Sequence, residues 1–164
     1  MTAIVDQHLR LLPGLPLVDS PFFDQICSSG YFTDDEQRIA CDLNRHGYAI
    51  LDFPDADILA RAQRIQKSLA PLFNEARHSG NRFDGRLMPP RFQDAWEING
   101  DVAAIAKEPA LLALLCKLYG RAAFPFQTLN FECGSQQHVH TDAVHFNSYP
   151  QGFMCGVWVA LEDV

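Results

Sequence analysis

At Gly120 the periodicity of this chain changes, and that change limits the architectures open to it. Before it, apolar residues recur at helical spacing: Ile58, Leu59, Ala62, Ile65, Leu69 and Leu72 form one such stripe. After it come "FPFQTLNFE", "HVHTDAVHF" and "FMCGVWVALED", which are short, aromatic and β-branched and are separated by Gly134, Pro150 and Gly152. These three read as strands. Helices first and strands second is the α+β order.

Within the first part, Thr33 and Glu36 form a capping box ahead of Ile39, Ala40 and Leu43, and Gly47 closes that helix. "YAILDF" (48–53) reads as a strand stopped by Pro54, with Asp55 or Asp57 capping the long helix that follows. From Asn74 to Gly100 the periodicity disappears, and Gly80, Gly85, Pro89 and Pro90 mark a loop carrying Arg77, Arg82, Arg86 and Arg91. "DVAAIAKEP" and "ALLALLCKLYG" read as two helical pieces, the second starting at Pro109 and ending at Gly120. Residues 1–32, rich in proline, serine and glycine, read as a partly ordered arm, leaving 33–164 as the folded domain.

Composition narrows the function. A chain of 164 residues with 48% hydrophobic content suits one domain around one core. A net charge of -7, with only 13 basic residues, argues against nucleic acid as a partner. Five cysteines with no CxxC pair read as reduced thiols filling core space. The N-terminus is broken by Asp6, His8, Arg10 and two prolines, so it lacks the apolar run of a signal peptide or membrane span, and a cytoplasmic setting is the default expectation.

The chemistry is concentrated in "GSQQHVHTDAVHF". On a strand, His138, His140 and Asp142 share one face and His145 takes the other. An imidazole and a carboxylate two residues apart suit a single metal ion, the start of the two-histidine, one-carboxylate arrangement of non-haem iron. Polar residues on a solvent-facing strand would look the same by spacing alone.

The stretch from Asp94 to Val164 resembles the phytanoyl-CoA dioxygenase family of Fe(II)- and 2-oxoglutarate-dependent oxygenases. The residues carrying the resemblance are "LNFECGSQQ", the HxD element His140-Thr141-Asp142, and "GVWVALED". Looser similarity in "GYAILDF", "RFQDAWEING" and "EPALLALLCKLYG" extends it to roughly 34–164. The resemblance implies a double-stranded β-helix, or jelly roll, behind N-terminal helices. It implies Fe(II) held by His140 and Asp142, with 2-oxoglutarate as cosubstrate and oxidation of a small organic substrate as the reaction. It places Trp158 against the cosubstrate and brings Gln127 and Asn130 near its carboxylates or the substrate. The carboxylate of Asp142 separates the chain from related halogenases, in which a small residue leaves room for chloride.

The family's third ligand is a histidine well beyond the HxD element, followed by an arginine that binds the cosubstrate. No histidine follows His145 here, so the chain reads as the front of such an enzyme, as one completed by a second chain, or as a shortened non-catalytic protein. Two readings from other classes stand beside it. A cupin-like site built on His138 and His140 would want a glutamate soon after, whereas the next acid after Asp142 is Glu162. An interaction module would use its 12 phenylalanines as core alone. Trp96 reads as a core anchor, and Arg86 and Arg91 as either solvated loop residues or contacts for an anion.

Overall fold

The computed structural model describes residues 2–79, 82–83, 86–87, 90–134, 140, 142, 146 and 148–162, with backbone alone at 79, 82, 83, 86 and 87. It is mixed helix and sheet. Its helices are α1 (Ala3–Leu11), α2 (Phe23–Ser28), α3 (Asp34–His46), α4 (Ile58–Ser79), α5 (Gly100–Ala106) and α6 (Pro109–Tyr119), with single 3-10 turns at Leu17–Asp19 and Ala95–Glu97. Its strands are β1 (Arg82–Phe83), β2 (Arg86–Leu87), β3 (Arg91–Gln93) and β4 (Leu129–Phe131), paired antiparallel as β1–β2 and β3–β4. Among the described residues no helix is long and apolar enough to cross a membrane.

The chain divides into two compact units, not one core. The first is drawn from Met1–Phe53, Pro109–Ala123 and Thr141–Val157, the second from Pro54–Glu108, Phe124–His140 and Trp158–Val164. Each has its own apolar cluster.

In the first unit the expected arm is instead part of the core. Val5 of α1, Leu17 and Val18 of the first 3-10 turn, and Phe23 and Ile26 of α2 are buried with Ile39, Ala40 and Leu118. Pro13, Pro16 and Pro21 break the segment into short pieces without removing it from the interior, because each piece still carries apolar residues that only a packed neighbour can shield. Among these residues His8 is fully buried. Its Nε2 donates to the Leu15 carbonyl and its Nδ1 meets the Ser20 hydroxyl, both at 2.8 Å, and Ser20 Oγ also accepts the Phe22 N–H.

Helix α3 forms as its capping signals require. Thr33 Oγ1 accepts the Glu36 N–H, Glu36 accepts the Thr33 N–H at 2.7 Å, and Gly47 at φ 77 ends the helix in the left-handed region. Glu36 also accepts from Lys117 Nζ on α6, joining the two helices. Burial alone would raise the Glu36 carboxyl, but hydrogen bonds from Lys117 and the Thr33 backbone outweigh it and hold the group below its ordinary value. A carboxyl depressed in the folded state stabilises the fold above the unfolded value and loses that contribution as pH falls through the folded one. Glu36→Gln keeps a capping side chain and removes the charge. Its stability deficit against the parent, measured by denaturation at a series of pH values, should therefore be full near neutrality and vanish in acid below the ordinary carboxylate range. A deficit that persists or grows in acid contradicts the assignment.

In the second unit α4 buries Ala62, Ile65 and Leu69 of the expected stripe, together with Phe73, against Ala95 and Val102, while Leu72 is half-buried and Leu59 is exposed. It runs further than the periodicity suggests, through Pro71 to Ser79, so the expected loop after Asn74 begins as helix. Arg61 donates to Asp55 at 2.7 Å and to Asp101 at 2.8 Å, and Arg64 to Asp57 and Asp101, which ties both the start of α4 and the first turn of α5 together. The Arg64 guanidinium, aided by Arg61, holds Asp101 below the usual carboxylate range. Asn99 caps α5 by accepting the Asp101 and Val102 N–H groups.

The strand expectations hold only in small part. "YAILDF" forms no strand, and Tyr48 and Ile50 are 64% and 78% exposed. Of "FPFQTLNFE" only Leu129–Phe131 pairs, and its partner Arg91–Gln93 lies in the stretch read as loop. "FMCGVWVALED" forms no strand among its described residues. A β-branched or aromatic run supplies fit to a pleated surface, but the ladder itself needs an adjacent strand, and among the described residues these runs have none. The jelly roll is accordingly not formed by the described residues.

Candidate functional site

The residues proposed for chemistry lie on β4, in the segment after it, and around Trp158. β4 is held by a clasp. Asp94, at φ 56, donates its N–H to the Thr128 carbonyl at 2.8 Å and accepts the Thr128 N–H on Oδ1 at 3.1 Å, extending the β3–β4 pairing by one residue. Asp is among the few residues that tolerate this left-handed backbone, and here its side chain does work that glycine would lack. Neither feature was foreseen from the sequence. The signal available was a "QD" pair in a stretch without periodicity, which is too common to single out.

In the register, Arg91 faces Phe131, Phe92 faces Asn130, and Gln93 faces Leu129. Phe92 packs on the apolar cluster of the second unit, so Asn130 shares that inward side. The Asn130 Oδ1 and Thr128 Oγ1 atoms are buried without a protein hydrogen-bond partner, as is Trp96 Nε1. Trp96 is the core anchor expected of it, half-buried against the cluster, with the Lys107 ammonium 5.4 Å from its ring centroid. Trp158 stacks on Phe131, with centroids 5.8 Å apart and planes 2° from parallel. Phe131 alternates to the side opposite Asn130, so the ladder does not gather Asn130 and Trp158 at one point. Gln127 is half-buried just ahead of β4. Glu132 pairs with Arg77 of α4 at 2.8 Å.

His140 and Asp142 are both exposed. They belong to different units, His140 to the second and Asp142 to the first. Neither is in a strand, and the Asp142 carbonyl accepts the Phe146 N–H at 3.0 Å. The expectation that His138, His140 and Asp142 share one strand face is thus replaced at Asp142, while His138 and His145 lie outside the described residues.

No family model, curated protein or solved structure matches the chain.

Tested against Fe(II), the donor types fit, and among the described residues their number falls short of a triad. An imidazole and a carboxylate are the ligands non-haem iron uses. Among the described residues no group of three His, Cys, Asp or Glu side chains gathers in a way that would hold a metal. For a dicarboxylate, Trp96 Nε1 and Thr128 Oγ1 are buried donors, whereas Asn130 Oδ1 can only accept. None of the five cysteines is in a disulfide; Cys27, Cys41 and Cys116 are half-buried, while Cys133 and Cys155 are exposed and so do not fill core space as expected. Burial and the neighbouring Cys41 raise the Cys27 thiol to about 11, which leaves it a poor metal ligand near neutral pH.

Proposed function

We propose that this chain supplies His140 and Asp142 as ligands to Fe(II) in an oxygenase of the phytanoyl-CoA dioxygenase type, with 2-oxoglutarate as cosubstrate and a small organic molecule as substrate. The observation that carries the reading is the sequence itself: "LNFECGSQQ", then His140-Thr141-Asp142, then "GVWVALED", in that order. When bound, the metal and cosubstrate supply oxidation of a substrate C–H bond by molecular oxygen. The protein's part is to hold and orient the reactants. The substrate follows from pocket chemistry and not from the family's name.

Anaerobic equilibrium dialysis of Fe(II) tests the ligand assignment directly. His140→Ala and Asp142→Ala should each weaken binding by more than about tenfold, because even changes outside the coordination sphere reach that size. Fe(II) affinity that is the same in the parent and both variants removes the reading.

A further inference from the structure

The β3–β4 ladder of the second unit has an outward side that carries neither of the proposed iron ligands. Phe92 and Asn130 take the inward side, so alternation sends Arg91, Gln93, Leu129 and Phe131 outward. There the indole of Trp158 lies parallel to the Phe131 ring and offset from it, and keeps 71% of its own surface exposed. Leu129 beside it is 39% exposed. The segment bearing Trp158 is fixed within the unit: Gln66 Nε2 donates to the Leu161 carbonyl at 2.6 Å, and Leu161 packs on the apolar cluster. An indole buried on one face by an aromatic ring and open on the other is a poor core residue and a good stacking surface.

Charge points the same way. Arg61, Arg64 and Arg77 are each engaged by a carboxylate. Arg91, directly across the ladder from Phe131, is exposed and has no acid partner among the described residues. Its guanidinium is a planar fork suited to bidentate pairing with a carboxylate.

We propose that this face binds a planar aromatic carboxylate, with the ring stacked on Trp158 and the carboxylate paired with Arg91. The proposal goes beyond the iron reading and stands without it, since all its residues lie in one unit and none is a proposed metal ligand. It also separates the face from the cosubstrate the resemblance would put there: 2-oxoglutarate is aliphatic, so it would gain the charge contact and nothing from a stacked indole.

The test uses the metal-free chain labelled with nitrogen-15 and 2-naphthoate as probe. The two indole N–H resonances, from Trp96 and Trp158, are assigned with Trp96→Phe. A saturable shift of the Trp158 resonance is expected, weakened about tenfold or more in Arg91→Gln. Cyclohexanecarboxylate, which has the charge without the flat ring, should bind the parent about tenfold more weakly; this comparison holds whether or not a variant folds. A shift confined to Trp96, no saturation, equal binding of the two carboxylates, or an Arg91→Gln titration that overlays the parent's would each overturn the proposal.

Discussion

Replacing Leu17 with alanine should lower the stability of the first unit by about 2–5 kcal/mol, the range for deleting a buried leucine side chain. Leu17 is fully buried, in a cluster that draws on α1, α2, α3 and α6. Its surroundings have little room to collapse into the cavity. Gly120, at φ 69, sits so close that a Cβ there would lie 3.0 Å from both the Leu17 Cγ and the Leu9 Cδ2. Gly120→Ala should therefore destabilise as well, through left-handed backbone strain and overpacking together. Native-state hydrogen exchange of the α2 and α3 amides reads the loss locally, without requiring both units to unfold together. A change within about 0.5 kcal/mol, the size found for surface positions, would mean that residues 1–32 are an arm after all.

His8→Leu is the second large effect. In a neutral ring the Leu15 carbonyl, which can only accept, fixes the hydrogen on Nε2 and leaves Nδ1 to accept from the Ser20 hydroxyl. Leucine fills much of the same space and strands both partners in a buried site. Each unsatisfied group costs about 1–3 kcal/mol, so a total of about 2–6 kcal/mol is expected. Ser20→Ala also removes the acceptor of the Phe22 N–H, so its cost should be smaller in the His8→Leu background than in the parent by the worth of the His8–Ser20 contact. The same exchange measurement checks both variants. An equal cost of Ser20→Ala in the two backgrounds would show that the His8–Ser20 contact contributes nothing.

Where the sequence carried a local helix signal, the fold followed it. Thr33 and Glu36 begin α3 and Gly47 ends it, Pro109 opens α6 and Gly120 closes it, and the stripe from Ala62 to Leu69 faces inward on α4. Each of these depends on residues within one or two turns of one another. What was not legible depends on partners distant in the chain. The first 32 residues have helices too short to show a period, and only packing against Ile39, Ala40 and Leu118 gives them a place. β4 needed β3, which has three residues and no alternation visible amid loop-forming neighbours. The stack of Trp158 on Phe131 joins positions whose pairing no spacing rule reports.

The candidate site divides along the same line. Residue type and order in His140-Thr141-Asp142 are properties of the sequence, and the iron reading rests on them. The face each side chain takes is a property of the pairing partner, so the expectation of one shared strand face gave way at Asp142, which is in no strand.

The iron assignment is tested most directly by adding Fe(II) and 2-oxoglutarate to the purified chain without oxygen and recording the weak visible charge-transfer band of the chelated complex. A saturable band that is lost in Asp142→Ala is the predicted result. A parent chain that gives no band, or a band of equal strength in Asp142→Ala, would contradict the assignment of His140 and Asp142 as iron ligands.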